Sequence, residues 1–188
     1  LPDTDTGINK TKLSSVIQYM SDGTTVNFVI GYQDGSPTTV NVYVYRVETL
    51  YSDKIDYITQ YGFADNNDGV IDNSDKGPLK STIYYVDTPG YMDRIDFVIN
   101  YNEARKPDTL SKYVYQGTSQ EDIDYTLQYN VREYPAIDSN NISTYLNDKN
   151  LTSKAFYQGK EEMQYVILLE GISKAIGYAE NVKDDETK

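Results

Sequence analysis

Cysteine, histidine and tryptophan are absent from this chain of 188 residues. Without cysteine there can be no disulfide framework and no zinc–thiolate site. Without histidine the commonest general base is missing, and neither Ser-His-Asp nor Cys-His nucleophile pairs can form. The sequence contains no glycine-rich phosphate loop, and its longest apolar run, at 165–169, is far shorter than a membrane span. We therefore expect a protein that is not an enzyme and does not insert into a membrane.

Basic residues are also scarce. The chain has 17 lysines and arginines against 29 acidic residues, which gives a formal net charge of −12. Such a surface repels phosphate backbones, so we expect no nucleic-acid partner. Tyrosine is abundant, with 20 residues against four phenylalanines, and its large ring with a polar tip suits strand surfaces. The hydrophobic fraction of 38% is enough to build a core.

An internal repeat organises the sequence. The pattern Leu-x-Ser-x-(Ile/Ala)-x-Tyr, whose period of two is typical of a strand, begins at Leu13, Leu79 and Leu151. A second signature follows in each copy and begins at Val26, Ile95 and Met163, so the copies are 69 and then 68 residues apart. The first two copies also share Tyr-Val-Tyr, at 43–45 and 113–115, and Ile-Asp-Tyr, at 55–57 and 123–125. Shared markers in a constant order indicate a duplication.

The predicted fold is all-β, mainly strands with one short C-terminal helix. Turn signals divide each full copy into four or more short strands, which predicts two tandem small β-domains of the β-sandwich type. The expected units are an N-terminal extension (1–12), repeat 1 (13–78), repeat 2 (79–150), and a partial third repeat (151–188) that packs on repeat 2 and ends in an acidic tail. The helix is predicted from apolar residues at helical spacing, namely Ile172, Ala175, Ile176 and Ala179.

Residues 64–75 carry the sharpest local motif. Closely spaced Asp and Asn around Gly69 resemble the 12-residue calcium loop of EF-hand and dockerin proteins, although Ala64 occupies the first position. The resemblance implies a possible Ca²⁺ cofactor, because calcium prefers six to eight oxygen ligands. The candidate ligands are Asp65, Asn66, Asp68, Val70, Asp72 and Asp75. The alternative is an acidic linker, since Asp, Asn and Gly also accumulate in turns for backbone reasons.

The tyrosines separate into two groups. Those at matched repeat positions are expected to be structural. Those outside the repeat register, Tyr51, Tyr91 and Tyr134, are the candidate ligand-binding residues, because an exposed ring can stack on the face of a sugar.

The style of the sequence over 13–169 resembles repeat regions of Gram-positive cell-surface adhesins, including mucin-binding-type repeats. The shared features are acidity, absence of cysteine, richness in Tyr, Thr, Asp and Asn, and β-repeats of this length. The resemblance implies a non-enzymatic adhesion or stalk module, extracellular and attached to the cell wall or cell surface, whose partner is a host or environmental glycan or a surface protein. Two alternatives stay open: a self-assembling structural subunit of a surface layer, biofilm fibre or appendage, and an accessory carbohydrate-binding module.

Overall fold

The computed structural model describes residues 13–47, 50–68, 70–117, 122–158, 162–170 and 174–178. These residues form a single antiparallel sheet in which each strand pairs with the next one along the chain. No helix in this part of the chain has the length and apolar character needed to cross a bilayer. The strands are β1 (Ser15–Tyr19), β2 (Val26–Gln33), β3 (Ser36–Tyr45), β4 (Ile55–Phe63), β5 (Lys76–Tyr85), β6 (Ile95–Tyr101), β7 (Pro107–Tyr115), β8 (Ile123–Asn130), β9 (Leu151–Gln158), β10 (Glu162–Glu170) and β11 (Lys174–Tyr178).

The all-β prediction is confirmed, but two details differ. All eleven described strands belong to one open sheet, so they do not form a sandwich of two sheets. Over the described residues the predicted C-terminal helix is wrong, because Lys174–Tyr178 is strand β11 and Ile176 pairs with Leu168 of β10. Ile172 and Ala179, on which the helix was also predicted, lie outside the described residues. A short isolated helix is marginal in water. A strand at this position instead forms hydrogen bonds with backbone N–H and C=O groups of β10 that would otherwise be unpaired. Tertiary pairing therefore overrides the helical spacing.

The sequence repeat maps onto strands β1–β4, β5–β8 and β9–β11. Hydrogen bonding continues across both copy boundaries: Ile58 of β4 pairs with Ile83 of β5, and Thr126 of β8 pairs with Ala155 of β9. The boundary drawn at residues 78 and 79 falls inside β5. The copies thus share one sheet without a break, and their division into separate domains stays a prediction.

Five hairpins share a finer motif that the sequence analysis missed. In each, a tyrosine near the end of the odd-numbered strand pairs with an apolar residue that is the first or second residue of the next strand. The residue after that apolar one is polar and is skipped in the pairing, which is a β-bulge. The pairs are Tyr19–Val26, Tyr45–Ile55, Tyr85–Ile95, Tyr115–Ile123 and Tyr157–Met163, and the bulged residues are Asn27, Asp56, Asp96, Asp124 and Gln164. The signal was the recurring triplet of an apolar, a polar and an aromatic residue.

One face of the sheet, which we call the core face, carries both clusters of buried apolar residues. Its larger cluster contains Phe97, Ile99, Leu110 and Tyr129 from β6–β8, packed with Val131 and Ile137 from the connection between β8 and β9. A second cluster contains Phe28, Ile30 and Val40 of β2 and β3. The 131–150 connection, which includes a 3₁₀ turn at Ile142–Thr144, thereby covers the sheet of the second copy.

The opposite face, which we call the open face, has no described strand packed on it. It carries the other half of the alternation, for example Tyr43 of β3, which pairs with Ile58 of β4. Most of its described side chains are half-buried by their neighbours in the sheet.

Two repeat-equivalent tyrosines make the same hydrogen bond. The hydroxyl of Tyr45 donates to the carbonyl oxygen of Val26 at 2.9 Å, and that of Tyr115 donates to Ile95 at 3.0 Å. We expect Tyr45→Phe and Tyr115→Phe each to lower the free energy of unfolding by about 1 kcal/mol, the net value of one such bond. Urea titration measures both. Because the sites are far apart, the double variant should show the sum, and no loss in either variant would contradict the structural role.

Candidate functional site

The acidic loop at 64–75 joins β4 to β5 and is closed by Asp75. This carboxylate is fully buried. Its two oxygens accept the backbone N–H groups of Asn66 at 2.9 Å and Asp72 at 3.0 Å, while the N–H of Ala64 donates to the Asp75 carbonyl at 2.8 Å. Asp75 thus satisfies backbone donors that the loop would otherwise leave buried and unpaired.

The remaining carboxylates of the loop also accept backbone N–H groups. Asp65 accepts from Asn67 at 2.7 Å, Asp68 accepts from Val70 at 2.8 Å, and Asp72 accepts from Ser74 at 2.6 Å. These are the local bonds by which Asp residues stabilise turns. Hydrogen bonds from the hydroxyl and the backbone N–H of Ser74 hold the pKa of the Asp72 carboxyl below its ordinary value.

The structure places all six predicted calcium ligands in this one loop. Within the part of the chain that is described, however, no group of three or more acidic residues is arranged to hold a metal ion. The geometry accommodates the linker alternative, in which the carboxylates organise the backbone. Calcium binding stays a prediction.

Two of the three candidate ligand-binding tyrosines lie at the same end of the sheet. Tyr51 is in the loop between β3 and β4, and Tyr91 is in the loop between β5 and β6. Tyr134 lies at the opposite end, where its ring is 4.4 Å from that of Tyr145 and packs against the core. The structure therefore separates Tyr134 from the other two, and a ligand role for all three stays a prediction.

The loops at 46–54 and 86–94, which we call the copy junction, are joined by ion pairs between the first and second copies. Arg46 is 8% exposed and pairs with Asp87, and its Nη2 donates to the carbonyl of Val86 at 2.8 Å. Lys54 pairs with Asp93 at 3.3 Å in a more exposed position. These contacts hold the two loops side by side.

A second arginine of the copy junction is enclosed by aromatic rings. The guanidinium carbon of Arg94 lies 4.2 Å from the ring centre of Tyr91 and 4.9 Å from that of Tyr115. Its Nε and Nη2 atoms are buried without a hydrogen-bond partner, so the ring contacts are the main compensation described for its charge. Neither arginine was among the residues predicted from the sequence. The available signal was an arginine next to a repeat marker: Arg46 follows Tyr45, and Arg94 precedes Ile95.

The junction offers rings, a guanidinium group and carboxylates, which suit non-covalent binding. No protein-family model matches the chain, and no curated protein matches it in sequence.

The two junction ion pairs should differ in their contribution to stability. We expect Arg46→Met to lower the free energy of unfolding by about 2 kcal/mol, because it leaves the carbonyls of the β5–β6 loop without their donor. Lys54→Met removes an exposed pair and should cost less than about 1 kcal/mol. Guanidinium titration measures both, and an equal loss would contradict the buried role of Arg46.

The buried carboxylate of the loop gives a second comparison. Asp75→Asn replaces one acceptor oxygen by a donor that faces a backbone N–H, so we expect a loss of about 1–3 kcal/mol. Asp72→Asn changes an exposed carboxylate and should cost less. Because the pKa of Asp72 is lowered on folding, its contribution is present above its unfolded pKa and is lost as the pH falls through the folded pKa. Urea titrations near pH 7 and below pH 4 should therefore show a flatter pH dependence for Asp72→Asn than for the unmodified chain.

Proposed function

We propose that this chain is a non-enzymatic binding or stalk module of a bacterial surface protein, extracellular and attached to the cell wall or cell surface. The observation that carries the proposal is the continuous sheet: each copy continues the sheet of the one before it. With strands about 4.8 Å apart, a four-strand copy adds about 19 Å of length. Reach then grows with the number of copies, as in other repeat proteins whose units contact only their neighbours.

The copy boundaries support this proposal because they are built alike. At the first, the ring of Tyr84 in β5 lies 5.4 Å from that of Tyr57 in β4 and 4.4 Å from that of Phe97 in β6. At the second, Tyr125 and Phe156 lie 6.0 Å apart. Stacked rings of this kind stabilise a sheet beyond its backbone bonds, so a further copy can be added by the same contacts.

The proposed binding surface is the copy junction. Tyr51 and Tyr91 lie on loops that the Arg46 and Lys54 ion pairs hold side by side, and Arg94 is stacked on Tyr91. The proposed partner is a host or environmental glycan or a surface protein. Because Tyr134 lies at the opposite end of the sheet, it would contact the same partner only if that partner reached both ends. A bound Ca²⁺ ion in the 64–75 loop would brace the connection between the first two copies.

A self-assembling structural subunit is the second candidate, and the β1 edge favours it. Ile17 and Tyr19 are 47% and 46% exposed. The strand Ser15–Tyr19 contains no charge and no proline, which are the usual protections of an edge against pairing with another chain. The accessory carbohydrate-binding module remains a variant of the first proposal, in which the junction binds sugar for a neighbouring enzyme.

Glycan-array and immobilised-mucin binding test the junction. We expect Tyr51→Ala and Tyr91→Ala each to weaken binding about tenfold, because a lost stacking contact is worth about 1.4 kcal/mol. Tyr19→Ala, an exposed tyrosine of the β1 edge that lies outside the two junction loops, is the matched control and should leave binding unchanged. Equal loss in all three variants would contradict a junction site, and binding to no glycan or surface protein would contradict the binding role and leave the stalk.

Thermal melting with excess calcium or with a chelator tests the ion. A ligand that binds only the native state must stabilise it, so we expect calcium to raise the melting temperature and Asp68→Asn to abolish the rise. Identical melting curves in the two buffers would refute a Ca²⁺ site at 64–75.

A further inference from the structure

The middle of the open face carries no charged residue among the described side chains, although the chain has a net charge of −12. Its central cross-strand row begins Tyr43, Ile58, Ile83, Val98, Ser111, Gln128 and continues through β9 and β10 to β11. The row that contains Asn41 has no charged residue from Ile17 to Asn130, and the row that contains Tyr113 has none from β7 to β10. Lys, Arg, Asp and Glu make up 24% of the chain, so these uncharged rows are a feature to explain.

Tyrosine pairs form apolar platforms on this face at both copy boundaries. Tyr43 and Tyr85 lie on the strands that flank β4, and Ile58 between them is only 9% exposed, so neighbouring side chains cover it. Burial and the nearby Tyr43 hydroxyl raise the pKa of Tyr85. One copy further on, Tyr113 and Tyr157 flank β8 in the same way, and burial again raises the pKa of Tyr113. The two platforms lie about 19 Å apart, one four-strand copy.

The polar side chains of the face already pair with one another. Gln60 Nε2 donates to Asn41 Oδ1 at 3.0 Å, and Asn100 Nδ2 donates to Thr109 Oγ1 at 3.1 Å. The hydroxyl of Ser153 donates to Gln128 Oε1 at 3.2 Å. These bonds reduce the cost of removing the row from water. They also occupy groups that a hydroxyl-rich sugar would need, so the face favours a flat protein surface over a glycan.

We propose that the open face is a homodimer interface, in which it packs against the open face of a second copy of this chain. Nine strand spacings, from β1 to β10, and three side-chain rows give a surface of about 43 Å by about 20 Å, roughly 860 Å² per copy. A stable interface needs about 800 Å² per partner. Tyrosine enrichment and depletion of charge are the composition of an interface core.

A second copy fits this face in charge and in shape. Two chains of net charge −12 can approach through these rows without bringing like charges opposite each other. Two twisted sheets pack face to face at about 10 Å with an angle near −30°, and a two-fold axis near β6 would place each tyrosine platform against the partner's sheet. The interface differs from the β1 edge described above, so it does not depend on edge pairing or on the proposed function.

Sedimentation equilibrium over about 1–200 μM tests the proposal. We expect the unmodified chain to reach twice its monomer mass, and Ser111→Lys, near the centre of the face, to raise the dimer dissociation constant at least tenfold, because it buries an unpaired charge. Gln18→Lys makes the same charge change on an exposed residue of the other face and should leave the constant unchanged. A monomer at every concentration, or a dimer equally insensitive to both variants, would overturn the proposal.

A milder variant covers the case in which Ser111→Lys fails to fold. Because the chain has no cysteine, Ser111→Cys and Gln18→Cys each carry a single thiol for maleimide labelling. We expect labelling at 111 to slow several-fold as the protein concentration rises and labelling at 18 to stay constant. Equal rates at all concentrations would refute the interface. A second result would also refute the interface. If the sample is monomeric and the thiol at 111 becomes protected only when a soluble neutral polysaccharide is added, the face binds a glycan.

Discussion

The backbone ladder between consecutive antiparallel strands is the constraint on which the rest of the structure depends. Every described strand pairs only with its chain neighbours, so the fold is built from local hairpins. The bulge at the start of each even-numbered strand fixes the register, because it sets which residues face the core and which face outward. Asp96 shows the effect directly, since its bulged position allows its carboxylate to pair with Lys112.

The ladder separates the two faces of the sheet and thereby separates their roles. Phe97 and Leu110 are buried on the core face under the long connection between β8 and β9. The open face instead carries uncharged rows without a second layer of described strands. The loops that contain the buried Arg46 and Arg94 lie at one end of the sheet, and their sequences differ between the copies. Stability and candidate binding therefore lie in different parts of the same sheet.

The candidate sites were only partly predictable. The acidic motif at 64–75 was visible in sequence, but the hydrogen bonds that the buried Asp75 carboxylate accepts were not. The sequence does not distinguish Asp75 from the other acidic residues of the loop, because the positions of the backbone N–H groups depend on the fold. Arg46 and Arg94 gave little sequence signal, since an arginine near a strand end is ordinarily exposed. Tyr51 and Tyr91 are 40 residues apart in the chain, and only the pairing of β4 with β5 brings their loops to neighbouring positions.

The sequence by itself determined the strand-rich class, the repeat and its length, because alternation and recurring markers are local properties of the chain. It could not decide whether the copies form separate packed units or one sheet, because that choice depends on whether β4 pairs with β5 across the copy boundary. The same holds for Lys174–Tyr178. The local spacing of apolar residues indicated a helix, but the segment forms a strand because it pairs with β10. Tertiary structure decided these points because hydrogen-bond partners distant in sequence outweigh weak local preferences.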